Sequence, residues 1–451
     1  MYKLGYFIFA LIHVALIFKY HYSFVDAVVM LLMLMFAYQY FKTIKSLKGN
    51  IFTIFFIFYI TCSTSIVSLL EKTSNGFYKN YISPKEFYDL SIWGSQVLLV
   101  FLIVILLYIK LAGKNSIRTE KSNRNIISSF GKDIEKLYLK YMFFVFGLEA
   151  LTMSLGLAGA HFDAEVVLPF HLNGIIDEIR TNITPFIFAL YLYDRFSKGK
   201  PVTKKGVIYF LLYAFIEVIV RNSKGALMMV FLPAIVLMGL MGKVNATTIR
   251  KYLAPLVIAF VITYPIIEAA RGDGQISIQS LISASKTIDK VDSSEKSSSY
   301  IRTFLTGVYY TKIYEDTNQD RFSFDFHLLP IVLLNGGGAG YMTRVIDGVP
   351  EDHHHSSGIT GLCDALIWGG YLLCFIIVAI YAIIASIGDR GSISKKHILY
   401  SVILFFFFYD RIVSDTCSFV ISPLFLPSMV SIILKIIIVK YYSKHFEQSY
   451  I

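Results

Sequence analysis

Residues 93–112 read WGSQVLLVFLIVILLYIKLA, an apolar run broken near its end by one cation, Lys110. A helix that crosses about 30 Å of hydrocarbon needs roughly 20 mostly apolar residues, because lipid offers the backbone no hydrogen-bond partners. Residues 93–112 therefore read as a membrane span. Outward from it the pattern recurs at roughly 4–20, 24–41, 51–70, 138–159, 181–195, 206–221, 224–242, 252–270, 359–387, 398–414 and 419–439. Composition agrees: 55% of the 451 residues are hydrophobic and only 16% are charged. The expected fold is an all-α, polytopic integral membrane protein with about twelve transmembrane helices in one membrane domain over 1–451. Lys3 precedes the first run as in a signal peptide, but no small-residue cleavage site follows, so this run is read as an uncleaved anchor.

A net charge of +11 invites a nucleic-acid reading, but position explains it better. Lys and Arg accumulate in the loops a membrane protein keeps in the cytoplasm. With both termini inside, the alternate loops carry Lys42, Lys45 and Lys48; Lys114, Arg118, Lys121, Arg124, Lys132 and Lys136; Arg195, Lys198, Lys200, Lys204 and Lys205; Lys243, Arg250 and Lys251; and Arg390, Lys395 and Lys396. Roughly 26 of the 42 basic residues fall inside on this topology. Nothing supports nucleic-acid binding.

One connection is far longer than the rest. It runs over 271–358, opens with Arg271-Gly272-Asp273-Gly274 and closes with Glu351-Asp352-His353-His354-His355-Ser356-Ser357-Gly358. The charge count places it outside the cytoplasm. It is slightly acidic, so it is not a basic docking patch. Within it, Ile301, Phe304, Leu305, Val308, Tyr309 and Ile313 recur at helical spacing with Arg302 and Lys312 off the stripe, as in a helix lying at an interface. Residues 327–334 are too short and Pro-interrupted to span, which suggests a re-entrant or capping segment. The outer segment 71–92, centred on Ser83-Pro84, reads as lying against the membrane surface. Cys62, Cys363, Cys374 and Cys417 all sit in or at the ends of apolar runs, and no Cys/His metal spacing is seen.

Candidate chemistry gathers at the outer mouths of the spans. The turn Arg221-Asn222-Ser223-Lys224 between two spans is so tight that both cations share one membrane edge, and Arg271 emerges at the same interface. Arg as a fork and Lys as a point charge can hold a phosphate or pyrophosphate; as a plainer alternative, each anchors a helix end. In the His353-His354-His355 run a neutral imidazole can take a proton from a hydroxyl nucleophile, with Glu351 and Asp352 able to orient it; the plainer alternative is a solvated loop. Asp410, Arg411 and Asp415 end the eleventh span, and Arg411 and Asp415 have the spacing of an intrahelical pair. Arg302, Asp410 and Arg411 are candidates for a supporting role. Glu149, Glu217, Glu268 and Asp364 lie within helices or at their outer ends, where a transporter would place proton or ion sites.

In order and placement these motifs resemble the bacterial Wzy-type polymerases of O-antigen and exopolysaccharide repeat units, together with the related O-antigen ligases. Asn222-Ser223-Lys224-Gly225-Ala226-Leu227 resembles that family's Ser-Arg-Gly-Ala-Leu turn. Arg271-Gly272 resembles the basic residue that opens its large loop, and His355-Ser356-Ser357-Gly358 is similar to its His motif. Lys224 departs from the family's arginine and cannot supply the bidentate fork. The resemblance implies a GT-C-like, metal-independent glycosyltransferase of the inner (cytoplasmic) membrane that needs no cofactor. Its implied substrates are undecaprenyl-pyrophosphate-linked oligosaccharides at the outer face. Arg221, Lys224 and Arg271 would hold the pyrophosphate, and His355, or His353 or His354, would deprotonate the acceptor. A chain-length regulator and a flippase are the partners it implies. Alternatives are a ligase of the same superfamily, a lipid-linked glycan flippase or other transporter, and a non-catalytic scaffold.

Overall fold

The apolar runs fold as helices. A computed structural model describes residues 2–44, 49–61, 84–111, 134–154, 172–221, 224–243, 326, 328–341, 344, 361–393, 397–412, 417–421 and 425–447. Among the described residues the regular structure is entirely helical. It comprises α1 (Tyr2–Tyr20), α2 (Phe24–Thr43), α3 (Ile51–Thr61), α4 (Pro84–Leu111), α5 (Ile134–Ser154), α6 (Leu172–Glu178), α7 (Thr184–Ser197), α8 (Lys204–Arg221), α9 (Lys224–Leu240), α10 (Leu329–Leu334), α11 (Gly338–Tyr341), α12 (Gly361–Ile393), α13 (Ile398–Phe406) and α14 (Phe425–Glu447). Every predicted span meets a helix as far as the described residues reach; the one at 252–270 lies outside them.

Among the described residues, four helices are long and apolar enough to cross a membrane: Phe24–Thr43, Ser91–Leu111, Gly361–Ile393 and Phe425–Tyr442. The chain is an integral, multi-pass membrane protein. Its surface agrees, because large apolar side chains stand outward on these and neighbouring helices, including Phe18 (77% exposed), Phe24 (84%), Phe143 (63%) and Ile433 (55%). In water such a surface would be an aggregation site, whereas in lipid it is the solvated one.

Three boundaries differ from the hydropathy reading. α4 begins at Pro84, so residues 84–92 are helical and continuous with the apolar run that follows; proline suits a first helical turn because its missing N–H has no intrahelical partner there. The helix read at 181–195 starts at Leu172 and passes through a π-helical turn, Ile179–Ile183, before α7. Pro185 explains the turn: it lacks an N–H and crowds the carbonyl four residues back, and the wider turn relieves this while the Thr184 N–H bonds to the Ile179 carbonyl. α12 is broken at Gly369 and Gly370, the latter at φ 77° and ψ −173°, a conformation open to glycine but strained for a side chain. The segment 327–334 is short, as expected: α10 has six residues and a proline in its first turn.

The chain divides into two compact units. One comprises Met1–Asn123, Ser294–Gly391 and Phe407–Ser422. In it α2 packs along α4, and α3 also packs on α4. Phe56 stacks on Phe101 with ring centroids 4.0 Å apart, and Tyr381 meets Phe408 edge-on at 5.4 Å. The first turn of α3 has amide groups with no partner in their own helix. Asp389, far along α12, supplies one: its carboxylate accepts from Phe52 N at 2.8 Å, Thr53 N at 3.2 Å and Thr53 Oγ1 at 2.8 Å. Gly388 allows the approach, because a Cβ there would strike the Phe52 ring. Asp389→Ala would strand buried donors and is expected to lower unfolding stability by about 2–4 kcal/mol, measured by denaturant unfolding of the purified chain in detergent.

The other unit comprises Arg124–Ser293, Ser392–Phe406 and Pro423–Ile451. Here α5 packs on α8 and α7, α9 on α7, α8 and α13, and α14 on α6 and α13. Stacked rings join these helices: Tyr138 with Tyr191 at 4.6 Å and Phe188 with Phe210 at 3.6 Å. Gly206 lets α8 approach, since a Cβ would stand 2.7 Å from Tyr191 Oη. That ring has no room to retreat, because its hydroxyl is held against Thr203 and its face against Tyr138. Gly206→Ala is therefore expected to cost about 1–3 kcal/mol by overpacking, read as a lowered thermal midpoint.

Candidate functional site

Among the described residues, the strongest concentration of buried charge lies in the second unit. α5 carries Glu149, α8 carries Glu217, and the π-helical turn between α6 and α7 carries Arg180. Arg180 Nε donates to Glu149 Oε2 at 3.0 Å, and Arg180 Nη2 donates to Glu217 Oε2 at 2.8 Å. All three residues are buried, at 1%, 1% and 0% exposure for Arg180, Glu149 and Glu217. Removing such ions from water costs several kcal/mol each, so the pairing is what makes this burial tolerable. The Tyr213 hydroxyl, from α8, donates to the Arg180 carbonyl.

A second polar group lies beside this one along the same helical run. Glu178 is buried and accepts from Asn182 Nδ2 at 2.8 Å and from Ser428 Oγ at 3.2 Å, which ties α14 to α6. Sequence reading singled out Glu149 and Glu217 but missed Arg180 and Glu178. Hydropathy placed both outside the span, because a charge lowers the window average. The available signal was the pair of acids itself: intramembrane carboxylates need a cation, and Arg180 abuts the predicted span at 181–195.

Glu217 lies one helical turn before Arg221, about 6 Å along the axis. α8 ends on Arg221 and α9 opens on Lys224. These helix ends fall where the two apolar runs were read to stop and start, and α8 packs on α9; Asn222 and Ser223 between them lie outside the described residues. At the other end of α8, Arg195 pairs with Glu135 at 3.0 Å and caps the Pro201 carbonyl, while Lys198 pairs with Asp194 at 2.7 Å. Those belong to the basic loop read as cytoplasmic, and the length of α8 separates them from Arg221.

Arg271, Arg302, His353, His354, His355, Glu268 and Asp415 lie outside the described residues. Asp410 and Arg411 fall in a π-helical turn, Phe407–Ile412, and Asp415, the expected partner of Arg411, lies outside the described residues.

In the first unit, Asp364 is a packing hub. It accepts from Ser418 N at 2.7 Å, from Ser418 Oγ, and from Trp368 Nε1 at 3.0 Å. Ser418 Oγ in turn accepts from Gly338 N at 2.8 Å and Trp368 Nε1 at 3.1 Å. Both of its lone pairs are engaged and its proton is donated, so this hydroxyl is a fastener for the α10–α11 segment and not a free nucleophile. Burial, reinforced by the Asp364 charge, pushes the neighbouring Cys417 thiol up to about 12, so it stays protonated and weakly reactive. Compared with family models, curated proteins and solved structures, the chain gives no match to any of them, so its function has to be argued from its own residues.

Proposed function

We propose that this chain is a membrane-embedded glycosyltransferase that polymerises undecaprenyl-pyrophosphate-linked oligosaccharide repeat units into a surface polysaccharide at the outer face of the bacterial inner membrane. The observation that carries the reading is the α8–α9 turn, which ends one helix on Arg221 and starts the next on Lys224. The first amides of a helix and its positive dipole end favour a bound phosphate, and Lys224 adds a full charge at that position. Arg271 would complete the pyrophosphate clamp. This placement presumes the twelve-span topology, with both termini cytoplasmic and 271–358 outside.

In the reaction the anomeric C–O bond to pyrophosphate breaks as the acceptor hydroxyl of the incoming unit forms the new glycosidic bond. His355, or a neighbour in the run, takes the hydroxyl proton. Undecaprenyl pyrophosphate departs with its charge held by the cations, which act most strongly as that charge develops. Membrane glycolipids of a deletion strain test this against the ligase alternative. Loss of a polymerase leaves single repeat units on the acceptor; loss of a ligase leaves the acceptor bare while polymer stays on the carrier lipid.

The buried Arg180 cluster favours a second reading, a transporter or lipid-linked glycan flippase, because ionisable groups inside helical bundles commonly mark transport pathways. Movement of labelled lipid-linked glycan across vesicles without lengthening would select it over the polymerase.

A further inference from the structure

Independently of the reaction above, the long connection carries an apolar face that the protein leaves uncovered. Residues 328–341 contain no charged side chain. Within them α10 buries Val332 and turns outward Ile331 (43% exposed), Leu333 (46%) and Leu334 (83%). Six residues rise only about 9 Å as a helix, so α10 can enter one leaflet but not cross a hydrocarbon core about 30 Å thick.

The backbone of this segment suits a solvent that offers no hydrogen bonds. Pro330, in the first turn, has no N–H to satisfy. At the other end the carbonyls that a helix normally turns to water are taken up within the chain. The Ile331 carbonyl accepts from Asn335 N at 3.1 Å and Asn335 Nδ2 at 2.8 Å, that of Val332 from Gly337 N at 2.9 Å, and that of Leu333 from Gly336 N at 3.2 Å. Gly336 and Gly337 permit this closure by standing at φ 76° and 104°. Carbonyls satisfied in this way can lie in lipid.

Position points to the occupant. α12, long and apolar enough to cross a membrane, turns Ile376, Ile380, Ile383 and Ile387 outward at helical spacing, which makes one lipid-facing stripe. Three and then four residues before Ile376 the same spacing reaches Leu373 and Gly369. A Cβ on Gly369 would strike both the Leu373 side chain and the Phe326 ring, so Phe326, at the root of α10, seats at the Gly361 end of that stripe. The Ser418 hydroxyl, bonded to Gly338 N and to Asp364, fixes the far end of the segment to the same helix.

We propose that α10 is a lipid-docking wedge of the long connection, with Ile331, Leu333 and Leu334 inserted among the acyl chains of the leaflet at the Gly361 end of α12. The wedge continues the apolar face of α12 and holds the connection against the membrane there.

Tryptophan fluorescence of Leu334→Trp tests the proposal, in the full-length chain reconstituted into phosphatidylcholine vesicles. The emission of the wild-type chain, from Trp93 and Trp368, is subtracted in each lipid. Phosphatidylcholine brominated on its acyl chains is expected to remove most of the added emission, and iodide present on both faces little of it. Quenching by iodide and not by the brominated lipid puts α10 in water and overturns the proposal. Quenching by neither shows that protein covers the face, a second copy of the chain or another part of this one, and overturns it as well. Should Leu334→Trp fail to fold, Ile331→Trp takes its place under the same criteria.

Discussion

Arg180→Met is expected to destabilise the chain by about 3–5 kcal/mol, because it leaves two buried carboxylates facing each other with no cation between them. The site lies where α5, α8 and the π-helical turn meet, so the loss should appear in global unfolding and not as a local fraying. Replacing the whole cluster behaves differently: with Arg180→Met, Glu149→Leu and Glu217→Leu combined, most of the stability should return, since apolar groups of similar volume carry no desolvation cost. Denaturant unfolding in detergent checks both. Equal losses in the single and triple variants would show that the charges contribute little and that packing volume alone matters.

Lys224→Ala is expected to reduce polymer formation about a hundredfold, the scale on which one fixed donor stabilises developing anionic charge. The helix ends separate its role from that of Arg221. Lys224 opens α9, where the helix dipole is positive and adds to the side-chain charge on a bound phosphate. Arg221 closes α8, where the dipole is negative and partly offsets the cation. Arg221→Ala should therefore cost activity only about fivefold. Lys224→Arg restores a fork to that position and should match or exceed wild type. Glycan ladders at equal protein level give the ranking. A larger loss from Arg221→Ala than from Lys224→Ala would move the phosphate to the α8 end of the turn.

Much of the helical layout was legible because one physical demand dominates it: a backbone in lipid must satisfy itself, and apolar runs of sufficient length do so as helices. The facing ends of α8 and α9, at Arg221 and Lys224, were legible for the same reason, since the two apolar runs stop and start there. Features that depend on three-dimensional pairing were not. Arg180 lowered the hydropathy of its own segment, and its compensation by Glu149 and Glu217 comes from two other helices. Asp389 caps α3 across a separation of more than three hundred residues. Asp364, read as a candidate ion site, serves Ser418 and Trp368. The break in α12 did have a local signal, the Gly369-Gly370 pair, which hydropathy alone passes over.

The most direct measurement of the central claim supplies the purified full-length chain, in lipid, with undecaprenyl-pyrophosphate-linked repeat units and nothing else. A polymerase yields a ladder of carrier-linked glycans that grows by one repeat unit per step and disappears in His355→Ala and Arg271→Ala. Glycolipid that stays one unit long with the active wild-type chain, or a ladder unchanged in both variants, would contradict the account.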